Sequence, residues 1–172
     1  KNTMIVLVAQ TSIEMAMTVL CAYPLSKSTY RRKKYLTVIF FITMMFGAGL
    51  VPSFLIKSKL GLVGSRWAVI LSGCLSVYNM LIVRTAFVSV PKELFEAAEI
   101  DGASHFKCLT KVGLPLIKAT LSVILLYSLV NSWNEYFNSM IYLRDKAKYP
   151  LQLILRTILL GSQSLDMENV SS

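Results

Sequence analysis

Apolar residues fall in four long blocks separated by short polar stretches. The blocks run from about Met4 to Tyr23, Leu36 to Phe54, Trp67 to Val90 and Leu116 to Tyr136. Each holds about the 20 residues needed to cross some 30 Å of hydrocarbon. Each must be helical, because a backbone in lipid has to satisfy its own hydrogen bonds. Pro24 follows the first block, and Gly47, Gly49 and Pro52 lie late in the second. Small residues and prolines there let helices approach closely or bend. Beyond the fourth block the pattern changes. Arg144, Asp145, Lys146 and Lys148 precede Pro150, after which Leu151, Ile154, Leu155, Ile158 and Leu159 recur at helical spacing. That predicts an amphipathic helix of about three turns, too short to span and ended by Gly161. The fold class is therefore all-α: a polytopic helical membrane protein with about four spanning helices.

Composition agrees. The chain is 55% hydrophobic with a mean hydropathy of +0.58, against roughly 45–50% apolar residues in soluble domains. The net charge of +9 would suggest nucleic acid in a soluble protein. In a membrane protein it reflects Lys and Arg retained in cytoplasmic loops, so no nucleic-acid partner is expected. Residues 24–35 carry Lys27, Arg31, Arg32, Lys33 and Lys34 with no acid, which makes that loop cytoplasmic. Alternation then sets 55–66 outside, an insert at 91–115 inside and the tail after about 138 outside. The insert's side rests on parity, since Lys92, Lys107 and Lys111 meet Glu93, Glu96, Glu99 and Asp101. The first block starts almost at Lys1, is too long for a signal-peptide core and shows no clear cleavage site. The chain is read as a piece of a longer protein.

The insert, 91–115, is the one polar, helix-forming stretch held between two spanning blocks. Pro91 suits a first helical turn, and Glu93 and Glu96 suit the positive N-terminal end. Leu94, Ala97 and Ala98 share a face that Asp101 continues. Gly102 supplies the left-handed residue that stops the helix. Ser104 can cap a second short helix, with Phe106 and Leu109 expected on one side. Leu114-Pro115 ends the insert, and Pro115 is expected to open the next span. An amphipathic helix lying on lipid is the blander reading, but such helices favour a Lys/Arg-rich polar face, and this one carries four acids. Two short helices joined at a tight glycine turn make a protrusion suited to being gripped.

Glu96-Ala97-Ala98, Gly102 four residues on, and then Val112-Gly113-Leu114-Pro115 resemble the EAA signature of ABC importer permeases, the binding-protein-dependent transport system inner-membrane components. Asp101-Gly102-Ala103 fits the same signature. Ala22-Tyr23-Pro24-Leu25-Ser26, the basic loop after it and Trp133-Asn134-Glu135 resemble the maltose-permease-like carbohydrate subfamily. Tyr149-Pro150-Leu151-Gln152 and Leu155-Arg156 are similar to the complex-oligosaccharide permeases of Gram-positive bacteria. The resemblance spans nearly the whole chain and implies a type I importer permease core in a bacterial plasma membrane, with the second to fifth of about six spans present. It implies a second permease subunit, a cytoplasmic ATPase dimer, an extracellular substrate-binding protein and surrounding lipid as partners. Glu96, Ala97, Ala98, Asp101, Gly102, Ala103, Leu114 and Pro115 would couple to the ATPase. Residues 139–172 would form an external loop reaching toward the binding protein.

Polar residues inside spans are functional candidates by default. Asn79, Asn131, Trp133, Asn134 and Glu135 are candidates for a substrate path, an aromatic face and polar groups being what a sugar can use. Interhelical hydrogen bonding and an interfacial Trp are the more ordinary explanation of the same residues. Arg84, near the cytoplasmic end of the third span, is expected to snorkel. Glu14 and Glu135 allow a rival reading, a proton-coupled secondary transporter, which leaves the insert unexplained. Enzymatic chemistry lacks parts: one His (His105), no paired acids within a span, and Cys21, Cys74 and Cys108 at no metal spacing. No cofactor or metal is expected. The chain has no phosphate-binding loop, so ATP hydrolysis would belong to another subunit.

Overall fold

The computed structural model describes residues 1–27, 33–47 and 49–160. Arg31 and Arg32 of the basic loop, and the tail beyond 160, lie outside the described residues. Among these residues there is no strand. Helix α1 covers Asn2–Ser26, α2 Lys33–Met45, α3 Leu50–Lys59, α4 Arg66–Ile70 and α5 Val77–Ser89. Helix α6 is Lys92–Ile100 and α7 is His105–Lys107, running into a π-helical segment at Cys108–Gly113. Then come α8 (Leu114–Leu116), α9 (Lys118–Asn134), α10 (Phe137–Tyr142) and α11 (Leu151–Leu160).

Among the described residues, only α1 is an unbroken helix long and apolar enough to cross a membrane; up to four spans result if each helix pair separated by a short break counts as one. The second block is not one helix, because α2 stops at Met45 and α3 starts at Leu50, the break falling at the glycines. The third block breaks after Gly73 and resumes at Val77, where the Ser76 hydroxyl accepts the Asn79 N–H at 3.3 Å. Pro24 does not end α1, which continues through it to Ser26. Pro115 does not open the fourth span either. It sits in the short α8, and α9 leaves at a bend of 83° beyond Ile117.

The chain packs as two compact units. One comprises the described parts of 12–47 and 74–128. Its core joins Ala22, Tyr23 and Leu25 of α1 to Met80, Val83 and Phe87 of α5, Phe95 of α6, Cys108, Leu109, Ile117 and Ile124. Within it, the Asn79 amide donates to Glu14 Oε1 at 2.9 Å, both residues being buried. Arg84 is half-buried. Its Nε donates to the Leu25 carbonyl at 3.1 Å, satisfying one of the carbonyls that a helix end leaves without a partner.

The other unit comprises 1–11, 49–73 and 129–160. Here the segment after α10 is stitched to the chain's start. Asn2 Nδ2 donates to the Ala147 carbonyl at 2.5 Å, the Leu151 N–H donates to Thr3 Oγ1 at 2.9 Å, and Lys148 donates to the Gly64 carbonyl at 3.0 Å. Phe54 stacks on Tyr142 with ring centroids 6.1 Å apart. Helix α11 is the predicted amphipathic helix. It buries only Leu153 and leaves Leu151, Ile154 and Leu155 exposed.

Candidate functional site

The insert is anchored by a cluster of three aromatic rings. Tyr23 near the end of α1 meets Phe87 of α5 edge-on at 5.5 Å and Phe95 of α6 at 6.1 Å. Phe95 is thus the residue that seats α6, and its burial contributes roughly 1.5–3 kcal/mol. Leu94, read as sharing a face with Ala97 and Ala98, is exposed. Ala98 is half-buried against the core, while Glu96 and Ala97 face out.

The turn after α6 follows from Gly102, whose φ is +77°. The Ala103 N–H reaches back to the Ala98 carbonyl at 2.9 Å, and the Gly102 N–H to the Glu99 carbonyl at 3.1 Å. This paired arrangement is the Schellman ending, and it closes the helix on residues of the signature itself. Asp101 is exposed and Ala103 half-buried. Ser104 caps the next turn, its hydroxyl accepting the Lys107 N–H at 3.4 Å. Phe106 and Leu109 do not share a side: Leu109 is buried and Phe106 is 68% exposed. The π-helical widening at Cys108–Gly113 changes the spacing there, and Thr110 Oγ1 bonds back to the Phe106 carbonyl at 2.9 Å. Gly113 has an ordinary φ, but a Cβ there would lie 3.0 Å from the Phe87 ring. A larger residue there would have to displace the Phe87 ring by a few tenths of an ångström. Leu114 is half-buried and Pro115 exposed.

The second anchor is ionic. Lys27, just past α1, places Nζ 2.8 Å from Glu99 Oε1. The same ammonium lies 4.9 Å from the Phe95 ring centre and 5.3 Å from that of Tyr23, within cation–π range. His105 Nδ1 stands 3.7 Å from the same carboxylate oxygen. The hydrogen bond from Lys27, and then its charge, hold the Glu99 carboxyl below its ordinary 4.5. Burial works against the Lys27 charge, but Glu99 and Tyr23 together outweigh it and raise the ammonium above 10.5. A lowered acid stabilises above its ordinary value and is lost only as pH falls through the lowered one. A raised base stabilises below its ordinary value and is lost as pH rises through the raised one. The pair is therefore intact across the whole neutral range.

The outward surface of the insert includes Glu96, Ala97, Ile100, Asp101 and Phe106, with Ile100 85% exposed. Among the described residues, Glu96 makes no hydrogen bond or ion pair. Sequence reasoning missed Phe95, Lys27, Glu99 and Gly113. An aromatic at the centre of an otherwise acidic short helix was the available signal for Phe95.

The candidate path residues are distributed differently. Asn79 belongs to the first unit and binds Glu14. Asn131, Trp133, Asn134 and Glu135 belong to the second. Asn131 and Asn134 are exposed and Trp133 is 40% exposed. Asn134 donates to the Val130 carbonyl and accepts from Gln152 at 3.3 Å. Glu135 Oε1 accepts the Asn138 N–H at 3.1 Å, capping the following turn. Among the described residues, no group of acids, His and Cys could hold a metal ion.

A spanning helix tied to a seated, glycine-jointed insert is the architecture of a transporter's membrane subunit. The chain belongs to the family described as binding-protein-dependent transport system inner membrane component, whose sequence profile matches residues 15–162. It is 35% identical to the polygalacturonan/rhamnogalacturonan transport system permease protein YtcP of Bacillus subtilis, over 97% of this chain and 59% of that one. It is 34% identical to Protein LplC of the same organism, over 88% and 51%. Among solved structures it is similar to a bacterial ABC transporter involved in the import of the acidic polysaccharide alginate, with a TM-score of 0.88, 35% identity, and 91% and 56% coverage. The chain thus spans between half and three-fifths of the length of these relatives. Family membership leaves the secondary-transporter reading without support. The chain is a multi-pass membrane component of a transport system.

Proposed function

We propose that this chain is the core of a permease subunit of an ATP-driven importer for oligosaccharides delivered by an external binding protein. ATP hydrolysis takes place on separate cytoplasmic subunits. The insert 91–115 couples to them through Glu96, Ala97, Ala98, Asp101, Gly102, Ala103, Leu114 and Pro115. A single observation carries the reading: a rigidly seated helix presents an unpaired carboxylate beside exposed Ile100 and Phe106. Exposed apolar side chains next to one unsatisfied charge are what a protein partner's cleft covers. ATP-driven closure of the partner pair would push the insert and bias the spans between two states, as alternating access requires. A second permease subunit completes the path, to which Asn131, Trp133, Asn134 and Glu135 contribute polar groups and an aromatic face; Asn79 supports it from within the helix packing. Carbohydrate as cargo follows from the names of the relatives.

The test is to express the full-length permease with its neighbouring permease, ATPase and binding protein, and to measure ATPase co-purification and ATP-dependent uptake in proteoliposomes. Uptake without the ATPase subunits would overturn the reading. In this topology the loop 24–35 and the insert are cytoplasmic, while 55–66 and the tail after about 138 are external. Cys108 is fully buried and cannot report on this. His105 is exposed, so His105→Cys, with Cys21, Cys74 and Cys108 replaced, should resist an impermeant thiol reagent in intact cells and react after lysis. Labelling in intact cells would reverse the orientation.

A further inference from the structure

We propose that Lys27 and Glu99 form a latch that passes motion of the insert to α1 and reserves Glu96 for the partner. The inference rests on the coupling reading above. The insert joins α5 through Val90 and Pro91, and α9 through the turn at Ile117. Its tie to α1 is non-covalent: the Tyr23–Phe95 ring contact and the Lys27–Glu99 pair, formed between residues 72 apart. A push on α6 also reaches α1 by way of α5, which touches it through Phe87–Tyr23, Arg84–Leu25 and Asn79–Glu14; the pair adds a direct link from α6. With it, α1 is held at two levels, by Lys27 at the insert and by Glu14–Asn79 further along.

The same lysine decides which carboxylate stays available. Glu96 and Glu99 lie one turn apart and line one cleft of about 140 Å³ together with Lys27, Lys92, Phe87 and Phe95. A single ammonium seated over two rings can neutralise only the carboxylate it reaches. It reaches Glu99, which leaves Glu96 unpaired beside apolar walls that could take the stem of a partner's basic side chain. Lys27 and Glu99 are thus positioning residues.

The test uses the full importer in proteoliposomes and compares Lys27→Glu, Glu99→Lys and the double exchange. Among complexes that retain the ATPase subunits, each single variant should lose about tenfold in uptake per ATP, a usual size for site-to-site coupling. The exchange should recover most of that loss. Singles that couple like wild type, or an exchange no better than either single, would overturn the latch. If a charge reversal prevents assembly, the milder Lys27→Met and Glu99→Gln replace it in a double-mutant cycle, where additive losses are the refuting result. Wild-type importer that fails to retain the ATPase would sink the coupling reading and the latch together. Retention of the ATPase with unaffected single variants would sink the latch alone.

Discussion

Glu96→Lys is expected to strip the ATPase subunits from the purified importer while the permease still inserts. Glu96 is exposed on α6 and, among the described residues, makes no hydrogen bond or ion pair that its replacement would remove. It shares the cleft with Lys27 and Lys92, so a lysine there would gather three cations where a partner's basic group would otherwise dock. Losing one member of a desolvated interfacial charge pair typically costs about 2–5 kcal/mol, a fall in affinity of thirtyfold or more. The measurement is the ratio of ATPase to permease after detergent purification, wild type against variant. Equal recovery would mean that the insert is not the contact. Asn131 and Trp133 would then become the targets for asking what the membrane segment does.

Gly102→Val should abolish transport through backbone strain alone. The residue sits at φ +77°, and nothing lies within 4 Å of where a Cβ would be. Space is therefore not the issue. A β-branched residue in the left-handed region costs about 1–3 kcal/mol. The chain can relieve this only by opening the turn, which breaks the bonds from Ala103 to Ala98 and from Gly102 to Glu99. That moves Glu99 off Lys27 and tilts the exposed face bearing Glu96 and Ile100. Asn tolerates this conformation better than Val although it is bulkier than Ala. The expected order of ATP-dependent uptake is Gly, then Asn, then Ala, then Val, with membrane levels unchanged by immunoblot. Normal uptake by the Val variant would show that the turn carries no load. Loss in Asn equal to that in Val would mean that side-chain size matters and that a partner packs against Gly102.

Helices α1, α6 and α11, the stop at Gly102 and the cap at Ser104 were legible because each depends on neighbours a few residues away. Apolar periodicity, a φ that only glycine adopts easily and a hydroxyl three residues before its N–H are local facts. The breaks inside the second and third blocks were not legible. Hydropathy averages across a glycine or a serine and cannot tell a continuous helix from two short ones. Pro24 misled in the opposite direction, since α1 continues past it. The anchoring of the tail was not legible either: its backbone is bonded to Asn2 and Thr3, partners some 150 residues distant in sequence.

By itself, the sequence determined that this is a helical membrane protein of the binding-protein-dependent permease family, with a polar insert hinged at Gly102. Hydrocarbon thickness, backbone hydrogen bonding and left-handed glycine geometry act on short windows and leave little choice. Only the tertiary structure decided that Phe95 rather than Leu94 faces the core, that Gly113 packs close against the Phe87 ring, and that Lys27 takes Glu99 and, among the described residues, leaves Glu96 without a partner. Glu96 and Glu99 are indistinguishable in a helical pattern. Which one is neutralised depends on where α1 delivers an ammonium in space, and that is set by packing between segments far apart in the chain.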